Sequence, residues 1–403
     1  LLKAASKLEA AFFETKNSFI QRNNLILYYM KIDSAVIVVG GGLAGLTAAI
    51  HLSKLGISVV LIEKNDFPKH KVCGEYISNE VLGYYKWLDI SLSDLNPTTI
   101  KNLEFSTSTG RLIACKLPLG GFGLSRYALD ELLYKKVIAN GSIVIKDTVT
   151  DIIFKNEQFT VITENSGSFK SKIVLGAFGK RSSMDQKMNR SFFKKKSSWL
   201  AVKGHYYGDF KDDVVGLHNF EGGYCGVSKV ENDQINICYL CDYNSFKKYK
   251  NIIDYQVDIL HKNPFLKAIF ESSTAIFDKP LTISQISFRK KKAIENHVLM
   301  IGDSAGLIHP LCGNGMAMAI HSAKIASDLV FQYQNGTIKT RGELEIKYRT
   351  EWKGNFKSRM KAGRFLSSIL RKQKLSTIVL RILVIFPFLL PIIIKKTHGK
   401  AII

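Results

Sequence analysis

A chain of 403 residues with 46% apolar composition is long enough to bury one large or two moderate hydrophobic cores, so it reads as globular. Its 57 Lys+Arg against 34 Asp+Glu leave a net charge of +23, which favours an anionic partner such as a phosphate-bearing cofactor, a lipid headgroup or nucleic acid. No acidic residue follows Glu351, while 12 Lys and Arg do, so 12 of the 23 net charges belong to the last 52 residues. The excess is a property of the tail. Six cysteines without paired spacing, apart from Cys238 and Cys241 in an apolar run, do not indicate a disulfide framework and predict a reducing compartment and no metal site.

Residues 1–29 mix apolar and charged side chains without the apolar stretch of a secretion signal, and Met30 stands immediately before the first strand. They are expected to be an N-terminal extension outside the functional fold. Residues 35–39 (Ala-Val-Ile-Val-Val) then form a short continuous apolar run, the pattern of a strand buried on both faces of a parallel sheet. Gly40-Gly41-Gly42-Leu43-Ala44-Gly45 follows directly, and Leu43, Leu46, Ala49, Ile50 and Leu55 continue at helical spacing to Gly56. A second apolar strand at 59–62 ends in Glu63.

Each part of this unit has a mechanical use. Gly40 makes the tight turn, Gly42 lets the backbone approach a pyrophosphate, and Gly45 lets helix and strand pack closely. Amides at the helix start, including Leu43 and Ala44, receive the phosphate charge. Glu63, 63 − 40 = 23 residues past the first glycine, is placed to accept hydrogen bonds from a ribose diol, which disfavours a 2′-phosphate and leaves NAD and FAD both open.

A later segment separates those two. A buried strand at 298–301 delivers Gly302-Asp303, followed by Ser304-Ala305-Gly306-Leu307-Ile308-His309-Pro310-Leu311-Cys312-Gly313-Asn314-Gly315-Met316, with a helix expected from about Asn314 onward. This resembles the GD motif of flavoproteins with the p-hydroxybenzoate hydroxylase fold, among them aromatic hydroxylases and geranylgeranyl reductases. The resemblance implies that Asp303 holds a ribityl chain and that the loop from Pro310 through Gly313, Asn314, Gly315 and Met316 lies along an isoalloxazine, its helix amides stabilising the charge of the reduced ring. The segment Phe67-Pro-Lys-His-Lys71-Val-Cys73-Gly74-Glu75 looks like the stretch after the ribose acid in geranylgeranyl reductases, where a Cys-Gly pair approaches the flavin. Leu124-Ser-Arg126 resembles the family's Arg-containing helix start and places Arg126 near the cofactor phosphates; Lys64 and Lys71 join it as cofactor contacts. The matches cover residues 35–80, 121–180 and 296–330. Departures are specific: Gly176-Ala177-Phe178-Gly179 carries a phenylalanine where the family often has an acid that helps bind nicotinamide, and the Trp-x-Trp-x-Ile-Pro motif of flavin halogenases is missing.

The expected fold is therefore α/β, a Rossmann-like FAD-binding domain with an inserted antiparallel β-sheet substrate domain and a helical C-terminal tail. Residues 30–87, 117–191 and 290–340 are assigned to the discontinuous FAD-binding domain, 88–116 and 192–289 to the substrate domain, and 341–403 to the basic, apolar C-terminal region. Candidate chamber residues are His205, Tyr206, Tyr224, Cys225, His309 and Cys312; Cys73, His309 and Cys312 are the catalytic candidates, flanking the predicted flavin position.

In the tail, Lys353, Lys357, Lys361 and Arg364 share one helix face and Phe356, Met360 and Leu366 another. Residues 375–394 are nearly all apolar but interrupted by Arg381, Pro387 and Pro391, a pattern suited to an anionic membrane surface or to a helical cap more than to a span. The resemblance and the tail together imply an FAD-dependent oxidoreductase, monooxygenase or geranylgeranyl-reductase-like, acting on a hydrophobic substrate with NAD(P)H as reductant. It is expected to be cytoplasmic, peripheral on the inner face of a membrane, and not to bind nucleic acid. The alternative is a non-catalytic prenyl or lipid carrier on the same fold.

Overall fold

The computed structural model describes residues 33–370 and 373–403; the expected N-terminal extension lies outside the described residues. Val36, Ile37 and Val38 are fully buried, as a central parallel strand requires. The strand Asp33–Val39 pairs in parallel with Val59–Glu63 on one side and Ser168–Gly176 on the other. Ile143–Lys146 extends the sheet beyond Val59–Glu63, and Val298–Met300 extends it beyond Ser168–Gly176, both in parallel. The helix Leu43–Lys54 packs against the helices Arg126–Ala139 and Gly315–Gln334. This arrangement carries the glycine turn and the late Gly302-Asp303 corner to the same edge of one sheet.

Among the described residues, a second sheet of nine strands lies beside the first. Trp199–Tyr207, Ile235–Asp242, Gly223–Lys229 and Val214–Phe220 form its antiparallel centre. One face is covered by the helices Ile252–Asp258 and Pro264–Glu271, which bury Val202, Ile237, Tyr239 and Cys241. The other face looks toward the first sheet.

Two features differ from the expectation. The sheet is mixed, because Val214–Phe220 pairs in parallel with Thr98–Ser106; these segments come from separate insertions, so no hairpin fixes their direction. The sheet also takes in Tyr76–Ser78 and the whole of Leu112–Gly123, parts of which the sequence assigned to the cofactor half. Gly121 and Gly123 are the reason: a Cβ on Gly121 would meet the Tyr76 ring at 2.4 Å, and one on Gly123 would meet the Lys229 carbonyl oxygen at 1.8 Å. Strands cross at this junction where backbone can approach backbone.

The tail is helical, as expected: Arg341–Leu370, Gln373–Ile385 and Leu389–Thr397. Pro387 falls between the last two helices and Pro391 in the first turn of the last, where a missing N–H costs no helical bond. Leu383, Leu390 and Ile394 pack on Leu103, Phe105 and Ile113 of the second sheet. The two terminal helices thus cap that sheet.

Candidate active site

At the first glycine turn, the helix Leu43–Lys54 begins with no side-chain cap and no acidic residue in its first turn. Its amides are left for an external anion. Gly40 has φ +108°, and a Cβ on Gly45 would stand 1.9 Å from the Gly40 carbonyl oxygen, so Gly45 shapes the turn and does not itself line the cavity. Gly42 is different. It has φ −84°, open to any residue, yet a Cβ there would meet nothing within 4 Å; the space before it belongs to a ligand. Glu63 accepts the amide of Gly41 at 2.6 Å and both the amide and side-chain nitrogen of Asn65 at 2.9 and 2.6 Å, which fixes its carboxylate at the groove.

The second corner meets the first directly. Gly302 has φ +61°, and a Cβ on it would stand 2.9 Å from that of Ala44. Ser304 accepts the Gly179 amide through its hydroxyl at 2.9 Å, and the ammonium of Lys291 bridges the carbonyls of Asp303 and Lys180 at 2.7 and 2.9 Å. Burial, opposed by Asp185 and Asp303, pushes Lys291 down to about 8. The helix Gly315–Gln334 also starts without a side-chain cap or an early acid, so its amides too face the groove unneutralised.

One cavity of ≈ 680 Å³ joins these pieces, lined by Gly40, Gly42, Leu43, Ala44, Glu63, Lys64, Lys71, Cys73, Arg126, Gly302, Asp303, Cys312, Gly313, Gly315 and Met316. Arg126 and Lys71 are held at its wall by one buried carboxylate: Asp130 accepts Nε and Nη2 of Arg126, each at 2.8 Å, and the Lys71 ammonium at 2.8 Å. Beyond the groove the cavity runs between Leu103, Val215 and Leu217 of the second sheet and Leu383, Leu390 and Ile394 of the terminal helices. These facing walls make that end a chiefly apolar chamber.

A model for the FAD-dependent oxidoreductase family matches residues 35–86. The digeranylgeranylglycerophospholipid reductase 2 of Methanothermobacter thermautotrophicus is 23% identical over 361 residues, 86% of this chain and 88% of that protein. Among solved structures, the flavin-dependent brominase Bmp2 superposes with a TM-score of 0.72 at 18% identity, over 88% of this chain and 94% of that one. A probable FAD-dependent monooxygenase of Pseudomonas aeruginosa, pqsL, superposes with a TM-score of 0.71 at 14% identity, over 87% and 100%. The chain is an FAD-dependent oxidoreductase.

The cradle fits FAD. The residues that would hold it line this one cavity: Glu63 would accept the adenosine ribose, the amides of Leu43 and Ala44 with Arg126 would receive the pyrophosphate, Asp303 would hold the ribityl chain, and the start of Gly315–Gln334 would receive the isoalloxazine. FAD, when bound, supplies the redox chemistry; the protein supplies position, charge and a dry chamber.

Among the candidates, His205, Tyr206, Cys225, His309 and Asn314 do not line the cavity. His309 does not line the cavity: its ring is boxed by Trp199, Tyr224 and Phe288, and burial pushes its pKa down to about 3. It is a neutral packing residue. Asn314 is fully buried and accepts from Arg359 at 3.2 Å, so it anchors the C-terminal helix instead of touching the cofactor. Cys312 does line the chamber, but burial raises its thiol to about 12, which makes it a neutral wall and not a nucleophile. Cys73 lines the cavity half-buried, its carbonyl receiving Asn236 at 3.3 Å. Tyr224 lines the chamber, whereas Cys225 points to the opposite face of its strand, into the helix-covered core.

The sequence singled out His205 but missed its buried partners Glu75 and Lys203. Glu75, fully buried at the cavity wall, accepts the Lys203 ammonium at 2.5 Å and pairs with His205 Nε2 at 2.7 Å. Burial alone would raise its carboxyl, and Lys203 and His205 together outweigh burial and hold it below the ordinary range. The signal was present in the period-two spacing of Lys203 and His205, two polar side chains on one face of an apolar strand.

Proposed function

We propose that the enzyme acts on a lipid-like substrate, with NAD(P)H as the reductant, and that its reaction is the reduction of carbon–carbon double bonds. The observation that carries this is the continuity of the FAD groove with an apolar chamber walled by Leu383, Leu390 and Ile394. An extended hydrocarbon fits such walls, and water is excluded from the reacting atoms. Reduction adds a hydride to one carbon and a proton to its neighbour. We assign that proton to Cys73, a half-buried thiol that lines the same cavity. The similarity to the digeranylgeranylglycerophospholipid reductase 2 of Methanothermobacter thermautotrophicus supports reduction over oxygenation.

The same terminal helices present Ile378, Ile382, Ile385, Phe386, Phe388 and Ile392 to solvent, between 42% and 67% exposed, beside Arg381 and Lys396. No helix among the described residues is long and apolar enough to cross a membrane. This outer face suits docking on an anionic bilayer, from which a lipid reaches the chamber.

The experiment is anaerobic reduction of the holoenzyme with NADPH or NADH, followed by prenyl or phenolic lipids with and without oxygen. Lipid that gains hydrogen pairs without oxygen supports the proposal. Lipid that gains an oxygen atom only when oxygen is present makes the enzyme a monooxygenase instead, and inertness toward every lipid removes the lipid reading.

A further inference from the structure

On the far side of the terminal helix Leu389–Thr397 lies a second cavity, of ≈ 950 Å³. Its charged and titratable walls are Tyr76 from the second sheet, His321 and Lys324 from Gly315–Gln334, Arg359 from Arg341–Leu370, and Lys395, His398 and Lys400 from the C-terminal end. Its lining contains no side-chain carboxylate. Two nearby acids act on it from behind: Glu80 stands 3.5 Å from Arg359 and also accepts the Gly399 amide at 2.6 Å, and Asp328 pairs with Lys324 at 3.0 Å. These hold the cations in place while the open side of the cavity keeps their positive potential.

Two buried imidazole nitrogens here, His321 Nδ1 and His398 Nε2, have no hydrogen-bond partner among the described residues. A buried donor or acceptor without a partner is costly and calls for one. Burial, with Arg359 and Lys324 nearby, pushes His321 down to about 4, and His398 is lowered by burial as well, so an anion in the cavity would relieve both.

This cavity shares four wall residues with the FAD chamber: Tyr76, Leu117, Ile394 and His398. The rings of Tyr76 and His398 meet edge to face with centroids 6.5 Å apart, and they stand at the boundary. A molecule with an apolar chain on one side of that boundary and an anionic group on the other would use both spaces.

We propose that the basic cavity is a subsite for a phosphate-bearing headgroup whose hydrocarbon chain occupies the apolar chamber. The inference rests on the lipid-like substrate proposed above and adds the charge and position of its polar end. Phosphate suits a set of convergent cations that includes a guanidinium and orphaned imidazole nitrogens.

The test titrates FAD-loaded full-length protein by calorimetry with farnesyl phosphate, farnesol and inorganic phosphate, free of vesicles. Farnesyl phosphate is expected to bind at least about tenfold more tightly than farnesol, a gain of the size of a charge-assisted contact. The double variant Lys395→Glu/Lys400→Glu, which touches neither the FAD groove nor the chamber, is expected to lose that preference and to keep its affinity for farnesol. Equal binding of phosphate and alcohol, or a preference that survives the double variant, overturns the subsite. Inorganic phosphate binding as tightly as farnesyl phosphate would make it a site for free anions and overturn the headgroup assignment. Failure of both farnesyl compounds to bind would instead remove the lipid-like substrate on which the inference rests.

Discussion

Gly302 lies against Ala44 so closely that a Cβ on the glycine would stand 2.9 Å from the alanine's methyl, and its φ of +61° is one that side chains rarely adopt. Two motifs some 258 residues apart (302 − 44) are thereby joined at one point of the cofactor groove. Gly302→Ala is expected to push them apart. The left-handed backbone alone costs about 1–2 kcal/mol, so FAD affinity should fall by roughly tenfold or more, read by fluorescence titration of the flavin-free variant. Unchanged affinity would show that the contact does not shape the groove.

Glu75 joins the cavity-lining segment after Glu63 to the second sheet through Lys203 and His205. Glu75→Gln leaves the buried Lys203 ammonium uncompensated and is expected to cost about 3–5 kcal/mol of stability, measured by denaturant unfolding. Adding Lys203→Met should recover much of the loss, because the unpaired charge is then gone as well. Because the folded carboxyl titrates below its unfolded value, its contribution is present above about pH 4.5 and lost as pH falls through the folded pKa. Single and double variants that are equally unstable would contradict the charge argument.

His309 is held neutral by burial, with its pKa near 3. Two consequences follow from the sign of that shift. The unfolded chain takes up a proton on His309 before the folded one does, so stability should decline as pH falls from about 6.5 toward 4, with His218 and His321, each lowered by burial to about 4, adding to the slope. His309→Phe should flatten part of that decline while leaving the pH profile of turnover between pH 6 and 8 unmoved. A shifted turnover profile would return His309 to the catalytic machinery.

The cofactor half was legible because its evidence is local and consecutive. A buried strand, a glycine turn, a helix and a terminal acid in 29 residues (63 − 35 + 1) admit few arrangements, and the order of parallel strands follows from them. Direction within a loop was not legible. His309 and Cys312 flank the same proline, yet the loop turns one into an aromatic box and the other into the chamber. The Glu75–Lys203 pair spans 128 residues, and only the folded chain shows that a strand inserted far downstream returns to the flavin segment. Similarly, the apolar tail carried the signal of an amphipathic surface, but not which of its residues would face the sheet and which the solvent.

Gly42 offers the most direct test of the central claim that a single FAD spans from the glycine turn to the Gly302-Asp303 corner. Its backbone angles suit any residue, and a side chain there meets no protein atom, so Gly42→Val should fold and unfold like the parent while filling space reserved for the pyrophosphate. Fluorescence titration of the flavin-free proteins with FAD should give one FAD per chain for the parent and no saturable binding for the variant. Equal binding by a normally folded Gly42→Val protein would contradict the account.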